Sequence, residues 1–217
     1  MEIAIPLYDG FTALDAVGPY DVLSRVPGAE VKFVGTAPGP KRTENGMLAM
    51  TADHATADVA SPEILVVPGG YGTRQSIGDE DLVGWIRGVH ESSTYTTSVC
   101  TGALLLGAAG VLDGLEATTH WAELETLAEF GATPVTRRVV EQGKVVTAAG
   151  VSAGIDMALT LVAKLFHEDL AKAIQLGIEY DPQPPFDCGS PEKAGPEMTE
   201  LLRGVMAREN EAAAARL

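Results

Sequence analysis

Cysteine is scarce in this 217-residue chain. Only Cys100 and Cys188 are present, too few for a disulfide framework. Long apolar runs are missing as well: the stretches Ile64 to Val67 and Ala103 to Leu106 fall far short of the roughly 18 consecutive apolar residues that cross a bilayer, so no membrane span is expected. Basic residues are few, 15 Lys and Arg against 30 Asp and Glu. The resulting formal charge of −15 repels phosphate backbones and anionic membrane surfaces, which sets nucleic acid and membranes aside as partners. The opening Met-Glu-Ile-Ala-Ile-Pro has no basic region ahead of an apolar one. No secretory signal is expected, and a cytoplasmic, thiol-reducing compartment follows. What remains is an ordinary globular composition, 46% hydrophobic with 24 Gly and 13 Pro, long enough for one domain spanning residues 1–217.

Short β-branched runs alternate with helical stretches. Glu2 to Leu7 reads as a strand buried on both faces, followed by a helix that Thr12 can cap and that Pro19 should kink or restart. Val31 to Val34 is a second strand, and residues 38 to 58, with Asn45-Gly46, predict a small appended hairpin. Ile64 to Val67 is an apolar strand running into Pro68-Gly69-Gly70-Tyr71-Gly72. Further expected elements are a helix over 79–91, a strand over 95–99, a helix from Gly102 through Ala109, a short strand or turn over 117–120, and a helix over 122–130. A hairpin over 138–147 and helices over 152–166 and 168–180 follow. A Pro-rich strap covers 181–196, and an Ala-rich terminal helix that frays covers 197–217. Repeated strand-to-helix order predicts an α/β domain with a mainly parallel sheet covered on both faces.

Ser98-Val99-Cys100-Thr101-Gly102 places a cysteine between an apolar strand and an apolar helix, the setting of a nucleophile elbow. At a helix N-terminus its thiol pKa is expected to fall, giving a thiolate at neutral pH. The competing reading is a small buried hydrophobe. Gly69 and Gly70 could offer backbone N–H groups to an anion beside the thiol, although Gly-rich turns after strands are commonly structural. Asp15, set among Ala13, Leu14, Ala16 and Val17, is a candidate acid of raised pKa or else a solvated helix-end carboxylate. His120 could complete a Cys–His pair or simply pack beside Trp121. His54, His90 and His167 show no metal-ligand spacing, so no metal is expected, and Cys188 has no helix to tune it.

Taken together, Leu14-Asp15-Ala16-Val17-Gly18-Pro19-Tyr20-Asp21-Val22-Leu23, Val66-Val67-Pro68-Gly69-Gly70, the Cys100 motif and Ala117-Thr118-Thr119-His120-Trp121 resemble the ThiJ/PfpI superfamily, within it the isocyanide (isonitrile) hydratase branch. The resemblance implies a flavodoxin-like three-layer sandwich, similar to class I glutamine amidotransferases, and a homodimer with active sites near the subunit interface. It implies hydration of an isocyanide to an N-substituted formamide through a thioimidate on Cys100, without a cofactor. Asp15 would then be the proton carrier, and the Thr101 hydroxyl would hold Asp15 or the sulfur. Gly69, Gly70, His120 and the Cys100 and Thr101 N–H groups would face the small-molecule substrate. Asp15 and Thr101 stand where many superfamily members carry Glu and His, which argues against protease or glyoxalase activity. Ala148 to Asp156 resembles a motif of regulator domains in the same superfamily, though no basic helix-turn-helix extension is expected. A thiol sensor and a Cys100–His120 hydrolase remain as alternatives.

Overall fold

Strands that are apolar on both faces need cover on both faces, and the chain supplies it by following most of the inner strands with a helix. In the computed structural model, which describes residues 1–215, the strands are β1 (Glu2–Pro6), β2 (Glu30–Gly35), β3 (Gly39–Arg42), β4 (Ala49–Ala52), β5 (His54–Ala55), β6 (Ile64–Val67), β7 (Tyr95–Val99), β8 (Glu116–Ala117), β9 (Thr133–Pro134), β10 (Val139–Gln142) and β11 (Val145–Ala148). The helices are α1 (Ala13–Leu23), α2 (Thr73–Ser76), α3 (Glu80–Ser92), α4 (Gly102–Ala108), α5 (Leu124–Ala128), α6 (Ala153–Leu165), α7 (Glu168–Gly177), α8 (Pro191–Ala194) and α9 (Pro196–Ala214).

The main sheet has the order β10-β11-β7-β6-β1-β2-β5. Its pairings are parallel except for the β10–β11 hairpin at one edge. Ile3, Ala4, Ile5 and all four residues of β6 are fully buried. Two helical layers enclose them, with α1 packed on α6 and α3 on α4. From β1 the chain steps outward to β2 and then returns to β6 on the other side of β1. This reversal opens a crevice beyond the carboxyl ends of β1, β6 and β7, the place where open parallel sheets bind ligands.

Local chemistry departs from expectation at three places. Pro19 does not split its helix into two: α1 runs without a break from Ala13 to Leu23. Gly18 precedes it, and a residue without Cβ avoids the clash that pushes pre-proline residues out of helical geometry. The same glycine lets α1 approach α6, since a Cβ there would lie 3.1 Å from Ile155 Cγ1. Second, where a short strand or turn is expected over 117–120, only Ala117 lies in a strand, β8, paired with β9, and residues 118–120 are irregular. Third, the helix expected over 122–130 is a 3-10 turn, Trp121–Glu123, leading into the short α5.

The predicted hairpin over 38–58 exists as β3–β4, but it is more than an appendage. Gly10 N–H donates to the Arg42 carbonyl at 2.8 Å, Arg42 N–H to Asp9 Oδ1 at 2.8 Å, and Glu44 N–H to the Phe11 carbonyl at 3.1 Å. These bonds dock the hairpin tip onto the β1–α1 loop and carry Glu44 to the crevice. Residues 216 and 217 of the expected terminal helix lie outside the described residues. Among those described, no helix is long and apolar enough to cross a membrane.

Candidate active site

Backbone strain marks the centre of the crevice. Cys100 has φ +56°, in the left-handed region that a non-glycine residue adopts only when its surroundings over-determine it. They do so here. Its N–H donates to the carbonyls of Ala148 and Ala149 at 3.1 and 2.8 Å, while its own carbonyl accepts from Thr119 Oγ1 at 2.9 Å. The side chain is thereby turned out of β7 toward the loop after β6, with 5% of its surface exposed.

That loop presses against the elbow. A Cβ on Gly69 would lie 2.5 Å from the Thr101 nitrogen, and Gly70, at φ +135°, would place one 2.3 Å from the Gly10 carbonyl oxygen. Only glycine fits either position. Gly70→Ala is expected to cost roughly 2–3 kcal/mol through strain and overlap, lowering the thermal midpoint by about 4–12 °C. Calorimetry checks it, and an unchanged midpoint would show that the loop relaxes freely.

Asp15 is fully buried at the start of α1. Its Oδ2 accepts the Gly69 N–H at 2.9 Å, its Oδ1 has no hydrogen-bond partner among the described residues, and the carboxyl lies close enough to the Cys100 thiol for each to shift the titration of the other. Burial pushes the Asp15 pKa up to about 8, against the opposing pull of the Gly69 N–H, with the nearby charge of Glu44 adding to the rise. Burial and the proximity of Asp15 likewise hold the Cys100 pKa well above its ordinary value, although the Thr101 N–H points at the sulfur and favours its anion. Both shifts favour the protonated forms, carboxylic acid and thiol, at neutral pH.

Around the sulfur opens a cavity of about 140 Å³, room for several waters at ~30 Å³ each or for one small organic molecule. Glu44, Tyr71, Arg74, Cys100, His120 and Asn210 are among its walls. The half-buried Glu44 accepts from Thr12 Oγ1 at 2.9 Å and from the Tyr71 N–H. Its pKa is raised by burial. Arg74 grips both oxygens of the buried Glu123 at 2.8 and 2.9 Å. His120 Nδ1 accepts the Ala122 N–H at 3.3 Å, which leaves the proton of the neutral ring on Nε2. Burial lowers its pKa and keeps it neutral. The far wall is α9, which contributes Met206 and Asn210 and is anchored by Arg203 lying 5.2 Å from the Trp121 ring centre.

The structure brings Asp15, Gly69, Gly70, Cys100 and Thr101 together, and it changes the part expected of several. The thiol pKa is raised, not lowered, because desolvation outweighs the single N–H that a helix terminus supplies at this point. Gly69 and Gly70 do not offer free N–H groups: the first is bonded to Asp15 and the second to Thr101 Oγ1 at 2.8 Å. The Thr101 hydroxyl holds neither Asp15 nor sulfur. It bonds the Gly70 N–H and carbonyl and Thr73 Oγ1, which in turn meets the buried Tyr8 hydroxyl at 3.1 Å, so its work is to pin the glycine loop. The Cys100 N–H is occupied by the carbonyls of Ala148, at the end of β11, and of Ala149 just beyond it. His120 shares the cavity but makes no hydrogen bond to the sulfur among the described residues. The Thr12 hydroxyl, expected as a helix cap, is turned to Glu44 instead.

Glu44, Asn210 and Met206 escaped the sequence reading. The Asn45-Gly46 turn places Glu44 at a hairpin tip but says nothing of where that tip docks, and α9 carried no signal beyond its composition. Cys188 is exposed in the strap, and no group of three or more His, Cys, Asp or Glu side chains is gathered as for a metal among the described residues.

A model of the DJ-1/PfpI family matches residues 1–164, three quarters of the chain. The chain belongs to the DJ-1/PfpI family. Among DJ-1/PfpI relatives, it is 42% identical over 203 residues to the isonitrile hydratase of Pseudomonas putida, covering 94% of this chain and 89% of that protein. A solved ThiJ/PfpI family protein from Pseudomonas syringae matches with a TM-score of 0.92 at 36% identity, over 99% of this chain and 89% of that one. A transcriptional regulator from Pseudomonas aeruginosa is 31% identical over 135 residues, 61% of this chain but only 40% of its own length. The flavodoxin-like sandwich expected from the sequence is thus the DJ-1/PfpI fold.

Proposed function

We propose that this protein hydrates an isocyanide to an N-substituted formamide, using Cys100 as nucleophile and Asp15 as proton carrier. The observation that carries the reading is the buried Cys100 thiol beside the buried Asp15 carboxyl, the sulfur opening on a small cavity. The terminal carbon of an isocyanide must receive a nucleophile and a proton on the same atom. Such a pair delivers both. Sulfur bonds to the carbon, Asp15 gives that carbon a proton and takes the one leaving sulfur, and the product is the thioimidate Cys100–S–CH=N–R. Water then adds to the same carbon, and collapse returns the thiol and releases R–NH–CHO. The reaction drawn needs no cofactor. The likeness to an isonitrile hydratase over nearly the whole chain supports the same reading.

The geometry favours this over the two alternatives. A Cys–His hydrolase needs His120 to accept the thiol proton, yet its Nδ1 is occupied by Ala122 and its Nε2 carries a proton. A thiol sensor draws on an accessible thiolate, whereas Cys100 is buried with a raised pKa. The test is incubation with an aryl isocyanide and observation of the formamide proton by NMR. Formamide formation above the uncatalysed background supports the assignment, and none across alkyl and aryl isocyanides overturns it.

We further infer a homodimer, as the family resemblance suggests. A groove of about 490 Å³ that includes Leu14, Trp121 and Arg203 shares His120 and Val151 with the reactive cavity, so a second copy seated there would wall the site. Light scattering is expected to give twice the 22.6 kDa chain mass. A monomer mass at micromolar concentration would remove the dimer.

A further inference from the structure

The hydrolytic half of the proposed reaction needs a group that takes a proton from water, and the residue that meets the sulfur is poorly placed to be that group. Asp15 is fully buried behind Cys100 and is not among the cavity walls, whereas water reaches the thioimidate carbon from the cavity. Most ionisable groups on those walls are committed. Glu123 is held by both oxygens to Arg74 and also accepts from Thr126 Oγ1, which removes it and its partner. His120 presents Nε2–H, a donor. Tyr71, its pKa raised by burial, remains a phenol. Glu44 is left. Two donors, the Thr12 hydroxyl and the Tyr71 N–H, fix its carboxylate in the cavity wall, and a carboxylate with two hydrogen bonds keeps acceptor sites to spare. The β3–β4 hairpin that carries it is tied to the β1–α1 loop, so its position is set by backbone bonds and not by a flexible arm.

We infer that Glu44 is the general base of thioimidate hydrolysis, an inference that rests on the hydratase reading of the same site. A water hydrogen-bonded to Glu44 loses a proton to it as the water oxygen bonds to the thioimidate carbon. The C=N electron pair moves to nitrogen, which takes that proton from Glu44. The C–S bond then breaks with its electrons going to sulfur, the hydroxyl proton of the adduct passes to the thiol–carboxyl pair, and the formamide leaves. Water and thioimidate become formamide and thiol with nothing left over, and Glu44 ends as it began. The two carboxyl groups thus divide the reaction, Asp15 serving carbon–sulfur bond formation and Glu44 serving water.

The experiment is steady-state formamide release together with intact-protein mass on Glu44→Gln, with an aryl isocyanide as the probe. Glutamine can still accept from Thr12 and Tyr71, so the fold should hold, and Glu44→Asp serves as a second variant that keeps the carboxylate. Formamide release is expected to fall by about 10²- to 10⁴-fold in Glu44→Gln. During turnover the protein should also gain the mass of one isocyanide on Cys100, an adduct that does not build up in the wild type. Glu44→Asp should recover part of the rate. Release at the wild-type rate in Glu44→Gln overturns the inference, and so does a slowed reaction without adduct, since Glu44 would then act before the thioimidate forms. If the wild type yields neither adduct nor formamide, the hydratase reading itself has failed and takes this assignment with it.

Discussion

Cys100→Ala protein is expected to release formamide from an isocyanide at the uncatalysed rate, a loss on the order of 10⁴-fold or more. The substrate carbon stays bonded to the sulfur from the first step of the proposed reaction to the last, and the one other cysteine, Cys188, is exposed in the strap and does not line the cavity. The side chain is small and its turn is held by backbone bonds to β11 and by Thr119, so the variant should fold. Replacing the thiol also takes an ionisable neighbour away from Asp15. NMR detection of formamide, with a melting curve to confirm folding, checks the outcome. Retained turnover in a folded Cys100→Ala protein would end the covalent mechanism.

Asp15→Asn should separate hydrogen bonding from proton transfer. An amide can still accept the Gly69 N–H and donate to sulfur, but it cannot pass a proton, and turnover is expected to drop by roughly 10²- to 10⁴-fold. Stability should move the other way. Asp15 has a pKa of about 8 in the folded protein against 3.8 in the unfolded chain, so between those values the native state binds more protons. Folding stability contributed by this group is complete below about pH 4, declines as pH rises, and is lost once pH passes the folded value. Asparagine carries no such dependence. The thermal midpoint of Asp15→Asn relative to wild type should therefore climb from pH 5 to pH 8.5, the other carboxylates cancelling in the comparison. A difference that stays flat across that range would mean that Asp15 ionises normally and that its burial is relieved in solution.

Much of the frame was legible before any coordinates. The apolar run Ile64 to Val67 could only be a strand covered on both faces, and Ser98 to Gly102 announced a strand-to-helix elbow, because both signals are carried by adjacent residues. The glycine loop was legible as a close approach, though not as one to Thr101 and Gly10. Other readings failed for physical reasons of the same kind. A restart of the helix at Pro19 did not occur, because that effect depends on whether the preceding residue has a Cβ to clash, and Gly18 has none. The local helix terminus by itself favours a lowered thiol pKa, whereas a titration responds to all charges and to all lost solvent within several ångströms. Glu44 and Asn210, 56 and 110 positions from Cys100, gave no sign of belonging to its cavity.

The order of elements, the mainly parallel sheet and the identity of the reactive-looking cysteine were determined by sequence alone, since strand alternation, helix periodicity and turn chemistry act between near neighbours. The tertiary structure decided which acid meets the sulfur, which amide hydrogens are already taken, that the β3–β4 hairpin contributes a carboxylate, and that α9 closes the cavity. Those outcomes depend on desolvation and on distances between residues remote in the chain, quantities that exist only once the crevice beyond β1, β6 and β7 has been assembled.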